Sequence, residues 1–248
     1  MWKKLTSDEI KARVFNALED TVNYYEQSVL GVPASHLDSK VFYQGVSFLK
    51  EAPFISTLVR NPNHIGCHTL GKSESFFRGT QEIEKELIEI CAVDILGAQP
   101  NSIDGYVASG GTEANIQAIW MFRNYFQQEF DASNDEIGIL CSADSHYSMD
   151  KATNILSIQI EKAAVNFDDR SISEESIKEA VQQLQSRGVK YFAVVANMMT
   201  TMFGSVDSID MYTETLDAMG VKYKLHVDGA YGGFYYPFTR KGTQLSFL

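Results

Sequence analysis

The chain is short of basic residues. It sets 21 Lys and Arg against 32 Asp and Glu, a formal charge of -11, which excludes the basic face a nucleic-acid binder presents. Cysteine is scarce too. Cys67, Cys91 and Cys141 are odd in number, scattered and without metal spacing, so a disulfide framework is not expected and free thiols in a reducing, cytoplasmic setting are. No apolar run approaches membrane-spanning length. The opening "MWKKLTSDEIKARVFNAL" spreads charge where a signal peptide needs an apolar core, so no membrane partner is expected either. Histidine is sparse. His64 and His68 are four apart, but "NPNHIGCHTLGK" contains Pro62, Gly66 and Gly71 and does not read as a helix. No metal site is expected, and these two read as loop histidines near a substrate region.

What is present is a core and a rhythm. A hydrophobic fraction of 44% supports a packed domain. Thr6 or Ser7 caps a first helix over "SDEIKARVFNALEDTVNYYEQ". Pro33, Pro53, Pro62, Gly45, Gly66 and Gly71 then punctuate a wrapping segment of loops and short helices. Residues 1–79 read as this N-terminal helix and wrap, and 80–248 as the main domain. Tyr24, Tyr25, Phe76 and Phe77 are as well explained by packing as by a substrate pocket. Thr80 is read as the cap of an amphipathic helix over "QEIEKELIEICAVDILG", ending at Gly97.

From residue 102 short apolar runs alternate with helical patterns. "SIDGYVASGG" leads into "TEANIQAIWMFRNYFQQEF". The strand "EIGILCSAD" precedes the helix "HYSMDKATNIL", and "SIQIEKAAV" is partly strand. "SEESIKEAVQQLQSRG" is a helix between Ser173 and Gly188. The strand "KYFAVVANM", the helix "SIDMYTETLDAMG" and the strand "YKLHVD" complete the series. The expected fold class is α/β, a mostly parallel sheet flanked by helices.

Ligands of such sheets sit at the carboxyl ends of the strands, where four stretches are expected to converge. "SGGTEAN", Ser109 to Asn115, places Gly110, Gly111 and Thr112 where backbone N–H groups and a helix dipole can hold an anion, or where a plain strand-to-helix turn stands. It is neither a Walker loop nor a dinucleotide fingerprint. His146, after "GILC", is a helix cap or a flat ring facing a ligand. Asn197, in "ANMMTT", is turn chemistry or a site residue. Asp228, in "KLHVDGA", caps the next element or meets a ligand. Taken together, a phosphate cradle, an imidazole and a lone carboxylate suit an aromatic cofactor with a phosphate and a ring nitrogen, namely pyridoxal 5′-phosphate. The carboxylate would pair with the protonated nitrogen, the imidazole would stack on one face, and Ala230 would leave room on the other.

"YVASGGTEANIQA", "ADSHYSMDKA" and "LHVDGAYGGF", in this order and spacing, resemble the group II pyridoxal-phosphate-dependent amino acid decarboxylases, from about Thr80 onward. The resemblance implies the aminotransferase-like (fold type I) large domain, with Gly110, Gly111 and Thr112 at the phosphate, His146 stacking, and Asp228 at the ring nitrogen. It also places Asn197 near the cofactor and the substrate carboxylate, and Ala230 under the ring. It implies decarboxylation of an L-amino acid, and a homodimer with the site at the subunit interface. The chain departs from the pattern in three ways. The lysine segment that the family carries beyond the Asp, of the type Asp-x-His-Lys, has no counterpart, and Lys241 lies in a charged turn outside any such motif. The C-terminal stretch "TRKGTQLSFL" is apolar at its end, so the expectation is an N-terminal portion of a longer protein, inactive alone. Met199 stands where relatives often carry Gly. Another pyridoxal-phosphate carbon–carbon lyase or a desulfurase, or a non-catalytic cofactor- or partner-binding chain, remain as alternatives.

Overall fold

The computed structural model describes residues 3–21, 28, 71–72 and 78–239. Lys241, His64, His68, Cys67, Tyr24, Tyr25, Phe76, Phe77 and most of the expected wrapping segment lie outside the described residues. The chain divides into two compact units between Val107 and Ala108.

In the first unit, α1 (Ser7–Glu19) opens on a reciprocal cap: Glu9 N–H donates to Thr6 Oγ1 at 3.2 Å and Thr6 N–H to the Glu9 carboxylate at 2.7 Å. This bonding, first among the causes, holds the Glu9 carboxyl below its usual range. α2 (Arg78–Glu89) continues as a π-helical turn, Ile90–Ile95. Thr80 is therefore inside α2 rather than its cap, while Gly97 ends the run in the left-handed region at φ 73°. Gly79 is required by contact, because a Cβ there would stand 1.6 Å from the Ala17 carbonyl oxygen. Arg13 pairs with Glu86 across the two helices.

The second unit holds α3 (Gly111–Phe130), β1 (Ile137–Ser142), α4 (Ser148–Leu156) and β2 (Gln159–Ala163). There follow α5 (Glu174–Ser186), β3 (Tyr191–Asn197), α6 (Ile209–Ala218), β4 (Lys222–Asp228) and a single turn, α7 (Tyr236–Thr239). These four strands pair in parallel, in the order β2-β1-β3-β4. The order reverses direction between β1 and β3, which opens a crevice at their carboxyl ends.

Alternation along the strands builds two cores. Ile137, Ile139 and Cys141 of β1 join Ala193 and Val195 of β3 against Ile119 and Phe126 of α3 and Met149 and Ala152 of α4. On the opposite face, Leu140, Phe192, Val194 and Ala196 meet Ile177, Val181 and Leu184 of α5 and Tyr212 and Leu216 of α6. Both faces of β1 and β3 are buried, so these strands read as continuous apolar runs.

One expected strand does not form. Residues 103–108 pair with no described strand. Val107 N–H is taken by the Glu84 carboxylate at 2.6 Å, and Tyr106 and Val107 are exposed. The glycine turn therefore enters α3 from an unpaired segment, and three strand ends, not four, converge.

Candidate functional site

Three loops and one helix start meet at the carboxyl edge of the sheet. A cavity of about 280 Å³ opens there, close to the lower bound for small-ligand sites. Six of the seven residues singled out from the sequence line it: Gly111, Thr112, His146, Asn197, Asp228 and Ala230. Gly110 is one residue outside, at the N-cap of α3, with extended backbone.

The helix start is shaped for close approach. The first-turn N–H groups of a helix have no partner within it and carry the positive end of its dipole. A Cβ on Gly111 would stand 2.9 Å from the Ala230 Cβ, so only glycine leaves this wall open. Ser109 is fixed ahead of the turn by its N–H donating to the Glu113 carboxylate at 2.9 Å.

Asp228 ends β4 and is 9% exposed, so its two oxygens need donors. Oδ1 accepts the Ala230 N–H at 3.1 Å and Oδ2 accepts Asn115 Nδ2 at 2.8 Å. Asn115 also meets Ser148 Oγ at 2.9 Å and His226 Nε2 at 2.8 Å. His146 is half-buried. Its Nδ1 accepts the Ser148 N–H at 3.2 Å and lies 2.9 Å from Ser148 Oγ. An Nδ1 that accepts a backbone N–H carries no proton, so the His146 proton sits on Nε2.

The loop carrying His146 is pinned from two sides. Arg170 makes a two-pronged contact with Asp144, with Nε at 2.8 Å from Oδ2. Asn197 Nδ2 lies 2.8 Å from Ser145 Oγ, 3.1 Å from Ser142 Oγ and 2.6 Å from Asp207 Oδ2. Asn197 thus ties the ends of β1 and β3 together beside the cavity. Burial pushes the Asp207 carboxyl above its usual range, and the bonds from Asn197 oppose that shift. Met199 has φ 70°, the left-handed region that favours glycine.

The sequence reading missed Asn115, Tyr147 and Tyr231, which also line the cavity, and the supporting residues Ser148 and His226. Asn115 lies one helical turn after Gly111. His226 lies two residues before Asp228, on the same face of the strand. Period alone could have flagged both. No lysine is among the described residues lining the cavity. Among the described residues no group of His, Cys, Asp and Glu could hold a metal ion, and no helix is long and apolar enough to cross a membrane.

This arrangement of helix start, imidazole and strand-end carboxylate sits in a known lineage. Residues 81–246, more than half of the chain, match the pyridoxal-dependent decarboxylase conserved domain, and the chain belongs to that family. Its matched region begins at residue 81, whereas the compact units divide at Val107. Among particular relatives, the chain is 46% identical over 246 residues to a tryptophan decarboxylase of Clostridium sporogenes, covering 99% of this chain and 59% of that protein. It is 30% identical over 181 residues to a probable L-tyrosine/L-aspartate decarboxylase of Methanosarcina barkeri, covering 69% of this chain and 43% of the relative. The chain therefore spans about three fifths or less of the length of these relatives. The glutamate decarboxylase domain of a Vibrio parahaemolyticus protein aligns with TM-score 0.58 at 19% identity, covering 99% of this chain and 64% of that one. L-Methionine decarboxylase of Streptomyces sp. 590 aligns with TM-score 0.58 at 18% identity, covering 94% and 56%. These likenesses establish the aminotransferase-like, fold type I architecture.

Proposed function

We propose that this chain forms the cofactor-binding part of a pyridoxal 5′-phosphate-dependent enzyme that converts an L-amino acid to its amine and carbon dioxide. One observation carries the reading: a glycine-opened helix start, an imidazole and a buried carboxylate share one cavity in a chain of this family. The donor set fits the cofactor. Gly110, Gly111 and Thr112 would hold the phosphate at the dipole of α3. Asp228, aligned by Asn115 and the Ala230 N–H, would keep its negative charge against the ring nitrogen and so hold a proton there. His146 would stack on one ring face, and Ala230 would leave room at the other. Asn197 would border the substrate carboxylate. When bound, the protonated ring supplies the electron sink that carbon dioxide release requires. The chain's own residues bind, orient and keep that charge in place.

The 46% identity to a tryptophan decarboxylase makes L-tryptophan the first substrate to try. A cytoplasmic homodimer completes the proposal, as does a division of the chain at about residue 80 into an N-terminal wrap and a cofactor domain. The test is a pyridoxal-phosphate titration followed by absorbance, on this chain and on a form extended past Leu248, with carbon dioxide release measured on the extended form. Saturable binding lost in Asp228→Ala, together with amine and carbon dioxide from tryptophan or another L-amino acid, supports the reading. An extended form that binds no cofactor, or that cleaves an amino acid without releasing carbon dioxide, sinks it.

A further inference from the structure

Asn115 is almost wholly buried, at 3% exposure, in the second turn of α3, and its bond to Asp228 is only one of the contacts its amide makes. Its orientation is settled by its neighbours. A carboxylate only accepts, so the atom 2.8 Å from Asp228 Oδ2 must be the amide nitrogen. The oxygen then faces His226 Nε2 at 2.8 Å, and that nitrogen must donate. The second amide hydrogen points to Ser148 Oγ at 2.9 Å. Having accepted there, the Ser148 hydroxyl has its own hydrogen free for His146 Nδ1, 2.9 Å away. Every polar atom of the Asn115 side chain is thereby assigned, and each assignment forces the next.

We infer that Asn115 is the positioning residue of this site: clamped through its oxygen by the His226 ring, it gives one N–H to Asp228 and one to Ser148, and so sets both the carboxylate and the imidazole from a single amide. The two groups on either side of the cavity are coupled through one buried side chain. His226, which does not line the cavity, acts on it through this clamp. The supporting ring is suited to the task, since burial lowers its pKa and keeps it a single-proton donor near neutral pH, against the opposing charge of Asp228. On the same face of β4, Lys224 is turned away, with Nζ 4.1 Å from the Tyr125 ring.

The significance of this coupling rests on the proposed cofactor site, but its test needs no cofactor. Ring-nitrogen NMR shifts of His146 and His226, assigned with His146→Gln and His226→Gln, are recorded on the native chain and on Asn115→Asp, which keeps the shape and removes both donors. The native chain is expected to carry the proton of each ring on Nε2. In Asn115→Asp, two carboxylates compete for one donor. The His226 ring is then expected to shift to its doubly protonated pattern at neutral pH, and the His146 signals to move with it. A native His226 protonated on Nδ1 overturns the inference without any variant, so a variant that does not fold leaves it testable. Unchanged ring signals in a variant that melts like the native chain overturn it as well. A pyridoxal-phosphate titration of the native and Asn115→Asp sequences, each extended past Leu248, separates the two ideas. Expected ring patterns with no binding would remove the proposed function and leave the coupling standing. Binding with the wrong ring patterns would do the reverse. Where both hold, Asn115→Asp should weaken cofactor affinity about tenfold or more, the effect of losing a charge-assisted bond to a buried carboxylate.

Discussion

Cys141 is wholly buried at the end of β1, next to the loop that carries His146, and burial pushes its thiol up to about 12. The thiolate is the reactive form, so Cys141 should resist iodoacetamide near neutral pH while the chain is folded and react in guanidinium. Peptide mass spectrometry reads both states, and labelling of the folded chain at Cys141 would contradict the packing described. Gly111 is the complementary case, a residue whose lack of a side chain matters. In Gly111→Ala the new Cβ would meet Ala230 at 2.9 Å. Overpacking of about 1–3 kcal/mol at the wall the cofactor must approach corresponds to roughly a 5- to 150-fold loss of pyridoxal-phosphate affinity. A calorimetric titration checks it, and unchanged affinity would mean the wall yields. Met199 makes the opposite prediction. Its φ of 70° is strained for a side chain, so Met199→Gly should relieve about 1 kcal/mol and not lower the denaturation midpoint.

At the scale of elements, the caps are the clearest link between sequence and structure. Ser173 accepts the Ser176 N–H at 3.1 Å and opens α5, as its position before "EESIKEAVQQLQS" implied. Ser173→Ala should lower the unfolding free energy by about 1 kcal/mol, measured by chemical denaturation, and no change would mean that the neighbouring Ser176 sustains the turn alone. Strands with two buried faces, such as "YFAVVAN", were legible because an apolar run of that length between helices has few other uses. His146, Asn197, Asp228 and Ala230 line one cavity because strand ends in a parallel sheet are fixed by the strands themselves, and Gly111 and Thr112 reach it from the start of α3. What was not legible depended on contacts distant in sequence. Residues 103–108 have strand-like composition, but the Glu84 carboxylate takes the Val107 N–H from outside the segment. Thr80 looks like a cap, yet it lies inside α2, where the neighbouring Gly79 packs on Ala17. Helical period places Asn115 beside Gly111, but nothing local reveals that it meets a carboxylate 113 positions later.

For the molecule as a whole, the buried titratable groups set the pH response. Burial lowers the pKa of His226 from its usual 6.5, so the folded chain binds that proton less well than the unfolded chain. Its contribution to stability is then fully present above about pH 6.5 and is lost as pH falls through the folded value. Asp207 acts with the opposite sign: burial raises its pKa, so its contribution is present below its unfolded value near 3.8 and is lost as pH rises. Stability measured from about pH 7.5 down to about 5.5 should therefore fall more steeply in the native chain than in His226→Gln. Parallel slopes would mean that His226 titrates alike folded and unfolded. The separation between Asn115 and Asp228 also has a consequence in time. The two are 113 residues apart, and at synthesis rates of roughly 5–20 residues per second the acid follows the amide by about 6 to 23 s. Through that interval the emerging chain holds a helix start and an imidazole whose buried amide has neither His226 nor Asp228 to bind. The cavity can close only when β4 arrives, so a nascent chain stalled before β4 should display β3 as an unpaired, apolar edge and be the form most open to capture by chaperones.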